Sequence, residues 1–97
     1  MTPQELSARL ADVIRMLGAG EVVSYGDIAK VAGAPRQARL VGRVLATTSG
    51  LPWWRVVNAQ GRLVPGAEQE QRRLLEAEGV VVDGNRVVAA AVGRFAR

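Results

Sequence analysis

No cysteine and no histidine occur anywhere in this chain. The first absence excludes disulfides, thiolate metal sites and a cysteine nucleophile. The second removes the usual general base at neutral pH and most transition-metal sites. Aromatic residues are scarce, with two tryptophans, one tyrosine and one phenylalanine. Lysine occurs once, at Lys30. No apolar run is long enough to span a membrane, and the N-terminus lacks the pattern of a signal peptide. The expectation is a soluble cytoplasmic protein with no metal, no cofactor and no membrane partner.

What is present narrows the field further. The 97 residues are 48% hydrophobic, enough for one domain around a single core. The net charge of +4 comes almost wholly from arginine. Arginine offers a planar fork that grips phosphate at two points and stacks on bases. Such an excess fits an anionic partner such as nucleic acid, although an arginine-rich genome would give the same bias.

Thr2 as N-cap, Pro3 at the first position and Glu5 closing a capping box predict a helix start. Leu6, Leu10, Val13, Ile14 and Leu17 follow at helical spacing, with Gly18 as the stop. Residues 21–23 read as a short apolar connector or strand. Ser24 with Asp27 signals a second helix, whose apolar face is Ile28, Ala29, Val31 and Ala32 and whose end is Gly33. Ala34 and Pro35 make a corner, with Pro35 suited to the first position of a third helix. That helix turns Leu40, Val41, Val44 and Leu45 inward and leaves Arg36, Arg39 and Arg43 to solvent. Two short helices about a tight turn read as a helix-turn-helix that meets nucleic acid; an ordinary helical corner of a small enzyme is the alternative.

Residues 55–57 and 62–64 flank Asn58-Ala59-Gln60-Gly61, which predicts a hairpin placed as a wing. A helix over 68–78 buries Leu74 and Leu75 and stops at Gly79. Residues 80–82 and 86–88 predict a second hairpin around an Asp83-Gly84 turn. The tail from residue 89 to 97 reads as a packed helix or a frayed end. The expected fold is mainly α with small β hairpins, a winged helix-turn-helix in a single domain spanning 1–97.

Trp53 and Trp54 stand side by side after Pro52 and before Arg55. On extended chain adjacent side chains point to opposite faces, so at most one faces the main interior. The other then lines a groove, where an aromatic wall beside arginine can hold an unstacked base. The alternative is that both fill the core.

Four motifs occur in order: Ser24-Tyr25-Gly26; Pro35-Arg36-Gln37-Ala38-Arg39-Leu40-Val41-Gly42; Pro52-x-x-Arg55-Val56-Val57; and Leu74-Leu75-Glu76-Ala77-Glu78-Gly79. Together they resemble the DNA-binding domain of the O6-alkylguanine-DNA alkyltransferases, over residues 5 to about 82. The active-site motif of those enzymes is Pro-Cys-His-Arg, whose cysteine takes up the alkyl group. Here Trp53 stands at the cysteine position and Trp54 at that of the histidine. The pattern resembles the alkyltransferase-like proteins, in which tryptophan commonly replaces the cysteine. Alkyl transfer needs a thiolate and a group to maintain it, so no transfer activity is expected.

The resemblance implies roles residue by residue. Tyr25 crowds the phosphate of the target nucleotide and helps rotate it out. Arg39 enters the duplex in place of the flipped base. Arg36, Gln37 and Ala38 lie on the face laid in the minor groove, where Gln37 replaces a small residue. Pro52, Trp53, Trp54, Arg55 and Val56 form the base pocket, with the carbonyls of Trp53 and Val56 on the guanine edge and Arg55 bracing the loop. Glu78 matches the acid that orients the missing histidine and is placed to accept an indole N–H. The asparagine hinge after the recognition helix is absent, and the pocket lid shrinks to Val64-Pro65-Gly66, where proline offers no N–H. The implied function is a monomeric, non-enzymatic sensor of O6-alkylguanine in duplex DNA, nucleoid-associated if bacterial, marking the lesion for nucleotide excision repair proteins. A winged-helix transcription regulator that binds without base flipping is the alternative from another class. A water-using dealkylase is a third reading, and it lacks a base.

Overall fold

The computed structural model describes residues 1–97. Three helices come first: α1 (Pro3–Arg15), α2 (Tyr25–Val31) and α3 (Ala38–Thr47), with strand β1 (Glu21–Ser24) between α1 and α2. A single 3₁₀ turn (Trp53–Arg55) leads into β2 (Val56–Val57). Helix α4 (Glu68–Ala77) and strands β3 (Val81–Asp83), β4 (Arg86–Ala89) and β5 (Val92–Gly93) complete the chain.

The helix starts follow the local chemistry. The Thr2 hydroxyl accepts from the Glu5 N–H at 3.1 Å. Ser24 and Asp27 form a complete capping box, with Asp27 N–H to Ser24 Oγ at 3.0 Å and Ser24 N–H to Asp27 Oδ2 at 2.9 Å. Gly33 ends the second helical stretch at φ 81°. Two details differ from expectation. Helix α1 closes at Arg15 rather than Gly18: the N–H groups of Met16 and Leu17 bond three residues back, to Val13 and Ile14, and the Gly18 N–H turns to the Glu21 side chain at 3.0 Å. Val31 is 74% exposed while Ile28, Ala29 and Ala32 are buried. At 3.6 residues per turn Val31 lies roughly 100° from the centre of that buried face.

Pro35 does not open α3. The Gln37 N–H bonds to the Ala34 carbonyl at 3.0 Å, closing a separate turn that holds Pro35 and Arg36. Gln37, at φ −107° and ψ 31°, is the N-cap, and no side chain caps it. Arg36 and Gln37 therefore sit on the corner and Ala38 and Arg39 on the first helical turn. Val41 and Val44 are buried beneath them, with Leu40 and Leu45 packed against the same cluster.

Strand β1 is the centre of a three-stranded sheet, parallel to β2 on one side and to β5 on the other. The wing predicted from residues 55–57 and 62–64 is not formed. Asn58 Oδ1 accepts from the N–H groups of Gln60 and Arg62 at 3.0 and 2.8 Å, a tight turn that sends Arg62 to bridge Arg86 instead. The second hairpin is present, with Asp83 opposite Arg86. Its loop residues are Gly84 and Asn85, and only Gly84 has positive φ, at 60°. Glycine first in a two-residue loop fits the twist of the strands. The tail is neither helix nor fray, since β5 joins the sheet.

The interior divides in two, correcting the single core expected from length. Val23 and Val56 belong to a cluster of 12 buried residues with α1, α2 and α3. Val22 and Val57 belong to one of 7 that includes Leu63, Leu75, Val80 and Val87. Alternation along β1 and β2 puts successive side chains on opposite faces, so the small sheet separates the clusters.

Candidate nucleic-acid interface

The Pro52-Trp53-Trp54-Arg55 motif bends into its 3₁₀ turn after Pro52, with the Arg55 N–H closing on the Pro52 carbonyl at 3.1 Å. The two indoles meet edge to face, 6.3 Å apart at 90°. Extended geometry is not adopted and the rings do not separate to opposite faces as extended chain would place them: they stay in contact, both half-buried, with Trp54 packed against the second core cluster. Trp54 Nε1 donates to Glu78 Oε2 at 2.9 Å.

Glu78 is the hub. Arg55 donates to it with both tines of its fork, Nε to Oε1 at 3.1 Å and Nη2 to Oε2 at 2.6 Å. The Gly20 N–H adds a fourth bond at 2.9 Å. Burial by itself would raise the Glu78 pKa. The bonds from Arg55, Gly20 and Trp54, with the Arg55 charge, outweigh that and bring it down to about 2. The carboxylate is thus ionised at neutral pH, and no proton acceptor is left at the motif. Arg55 Nη1 reaches the Leu17 carbonyl at 2.8 Å, and its guanidinium lies 5.1 Å from the Trp54 ring centre. Arg55 thus ties the 3₁₀ turn to the end of α4 and to the chain just after α1.

Gln71 is a second brace, which sequence reasoning missed. Its side-chain amide is wholly buried. Nε2 donates to the carbonyls of Trp54 and Val56, each at 3.1 Å, and Oε1 accepts from the Val64 N–H at 2.7 Å. One side chain thereby ties the 3₁₀ turn to the segment leading into Pro65. The signal was a polar residue four positions before Leu75, on the inward face of α4. Val56 is wholly buried and its carbonyl is already engaged by Gln71; the Trp53 carbonyl takes the Val56 N–H.

On the helix-turn-helix, Arg36, Gln37 and Arg39 are exposed, whereas Ala38 is half-buried. Gln37, Arg39, Leu40 and Arg43 line a depression of about 420 Å³ with the N-terminal residues. Tyr25, the first residue of α2, is half-buried, and burial pushes its phenol pKa up. The group is therefore a neutral O–H at physiological pH. Tyr25 and Ala38 share another depression, of about 360 Å³, with Lys30 and Arg94. Parallel pairing of β1 with β2 (Ser24 with Val57) ties the start of α2 to the chain just after the tryptophans. Neither Trp53 nor Trp54 lines any of the five main surface depressions.

Comparison with known proteins adds four findings. The family model for the DNA-binding domain of 6-O-methylguanine DNA methyltransferase matches residues 5–80. A DNA base-flipping protein of Escherichia coli is 46% identical over 82 residues, covering 79% of this chain but 64% of the relative's length. Alkyltransferase-like protein 1 of Schizosaccharomyces pombe is 34% identical over 89 residues, 84% of this chain and 82% of the relative. A crystal structure of that yeast protein with damaged DNA containing O6-carboxymethylguanine superposes with a TM-score of 0.78 at 32% identity, over 86% of this chain and 83% of the other.

Proposed function

This chain belongs to the family of the 6-O-methylguanine DNA methyltransferase DNA-binding domain, and on that premise we propose that it recognises O6-alkylguanine in duplex DNA without repairing it. The corner and first turn of α3 enter the minor groove, with Arg36, Gln37 and Ala38 on the contact face. Tyr25 presses on the backbone of the target nucleotide and Arg39 fills the gap the base leaves. Extrusion costs a few kcal/mol, least for a poorly paired lesion, which is one source of selectivity. Stacking on an aromatic ring returns roughly 1–3 kcal/mol per base. Trp53 supplies that surface, with Pro52 beside it and Trp54 fixed behind by Glu78.

The observation that carries the non-enzymatic reading is the state of Glu78. Trp53 and Trp54 occupy the cysteine and histidine positions, and the one acid beside them accepts four hydrogen bonds. With no thiol in the chain and its carboxylate saturated, the site has neither nucleophile nor base. The lesion then persists in a stable complex, on a protein that acts as a monomer near the chromosome and marks the damage for nucleotide excision repair proteins. No helix is long and apolar enough to cross a membrane.

The test combines binding with base analysis. Arg39→Ala and Tyr25→Phe are expected to weaken binding to an O6-methylguanine duplex by about tenfold or more, close to the 1.4 kcal/mol equivalent, with smaller effects on undamaged DNA. Nucleosides recovered after long incubation with wild type should still contain all the O6-methylguanine. Conversion to guanine would overturn the proposal, as would variants that lower both affinities equally. A transcription regulator without flipping predicts instead a sequence-specific major-groove footprint and no effect of Trp53→Ala.

A further inference from the structure

Residues 81–97 lie beyond the segment that the family model matches, yet the last strand is built into the central sheet. Val92 and Gly93 pair with Glu21 and Val22 of β1, and the Arg94 N–H bonds to the Val22 carbonyl at 3.0 Å. Gly93 sits at φ 97°, and a Cβ there would run into the Val22 carbonyl oxygen. Only glycine permits that approach, so the backbone itself sets the register that delivers Arg94.

The guanidinium arrives at the depression lined by Tyr25, Asp27, Lys30, Ala38 and Ala59. Its Nη1 donates to Asp27 Oδ1 and its Nε to the Ala59 carbonyl, each at 3.0 Å. A guanidinium carries five N–H donors, so three are left for a ligand, and the Arg94 side chain is 39% exposed. Lys30, exposed and in no ion pair, lines the same depression. Asp27 is the one carboxylate there, and both its oxygens are occupied, by Arg94 and by the Ser24 N–H. Two cations thus face the hollow against one carboxylate, a net charge of +1, beside the tyrosine and alanine assigned above to DNA contact.

We infer that Arg94 and Lys30 hold a backbone phosphodiester of the DNA strand that passes Tyr25, so that the C-terminal strand adds a phosphate contact to the helix-turn-helix. This inference rests on the DNA-binding reading above. The contact is one of position and charge, since a fork and a point charge on phosphate carry no base information. It predicts a contribution shared by damaged and undamaged DNA.

The experiment measures duplex affinity for wild type, Arg94→Ala, Arg94→Lys and Lys30→Ala across salt concentrations, with and without O6-methylguanine. Removing one phosphate contact lowers the slope of log affinity against log salt by about 1. Arg94→Ala and Lys30→Ala should each lower the slope, together by about that amount, and each should weaken both duplexes by the same factor. Arg94→Lys should keep the slope. An Arg94→Ala protein with the wild-type slope overturns the inference, whether its affinity is unchanged or reduced through a displaced tail. A wild type that binds both duplexes equally defeats the lesion reading instead, and the slopes still decide the phosphate contact.

Discussion

At the scale of single residues, Glu78 has the most measurable consequence. Its pKa near 2 in the folded protein lies below the ordinary 4.5. The unfolded chain therefore takes up the proton first as pH falls. The stabilisation from Glu78 is complete above about pH 4.5 and is lost towards pH 2, and the shift corresponds to something on the order of 3 kcal/mol. Glu78→Gln should be less stable than wild type in urea at pH 7, with the gap shrinking by more than half at pH 3. A gap independent of pH would mean that the carboxylate charge is not what holds Trp54 and Arg55. Gln71→Leu belongs to the same scale. It strands the Val64 N–H and strips a donor from two carbonyls, and an unpaired buried group costs about 1–3 kcal/mol. The expected result is a lower urea midpoint with an unchanged slope; full stability would show that the amide is not needed to join the 3₁₀ turn to α4.

At the scale of elements, legibility tracks the distance over which each feature is determined. The Thr2 cap, the Ser24–Asp27 box and the Gly33 stop were readable because each is settled within three or four residues. The indole bond to Glu78 was readable only through the resemblance, since 24 positions separate the partners. Gln71 and β5 were not readable. A buried glutamine and a two-residue strand have no periodicity of their own, and both exist because of partners brought by the fold. The false wing has the same origin: a turn-like sequence at 58–61 does form a turn, but the strand before it pairs with β1. Strand β5 provides the element-scale prediction. Gly93→Ala collides with the Val22 carbonyl, so hydrogen exchange at the Arg94 amide should accelerate at least tenfold while amides within α1 stay protected. Unchanged protection at Arg94 would contradict the close approach.

At the scale of the whole molecule, charge and shape work together. Arg36, Arg39 and Arg43 are exposed around the third helix and in no ion pair, with Lys30 near the second. Arg55, the arginine of the Pro52-Trp53-Trp54-Arg55 motif, is instead folded inward on Glu78. Cations at the surface are thus free to meet a phosphate backbone, while the one at the motif holds Trp54 through Glu78. With two to four phosphates neutralised, binding to undamaged duplex should weaken with salt along a slope between about −2 and −4. A slope near zero would leave the net charge of +4 without a role in binding.

The most direct measurement is the affinity of wild type for one duplex carrying a single O6-methylguanine relative to the identical duplex carrying guanine, at fixed salt. Recognition by flipping and stacking predicts that the damaged duplex binds at least tenfold more tightly, about 1.4 kcal/mol. Equal affinities would contradict it.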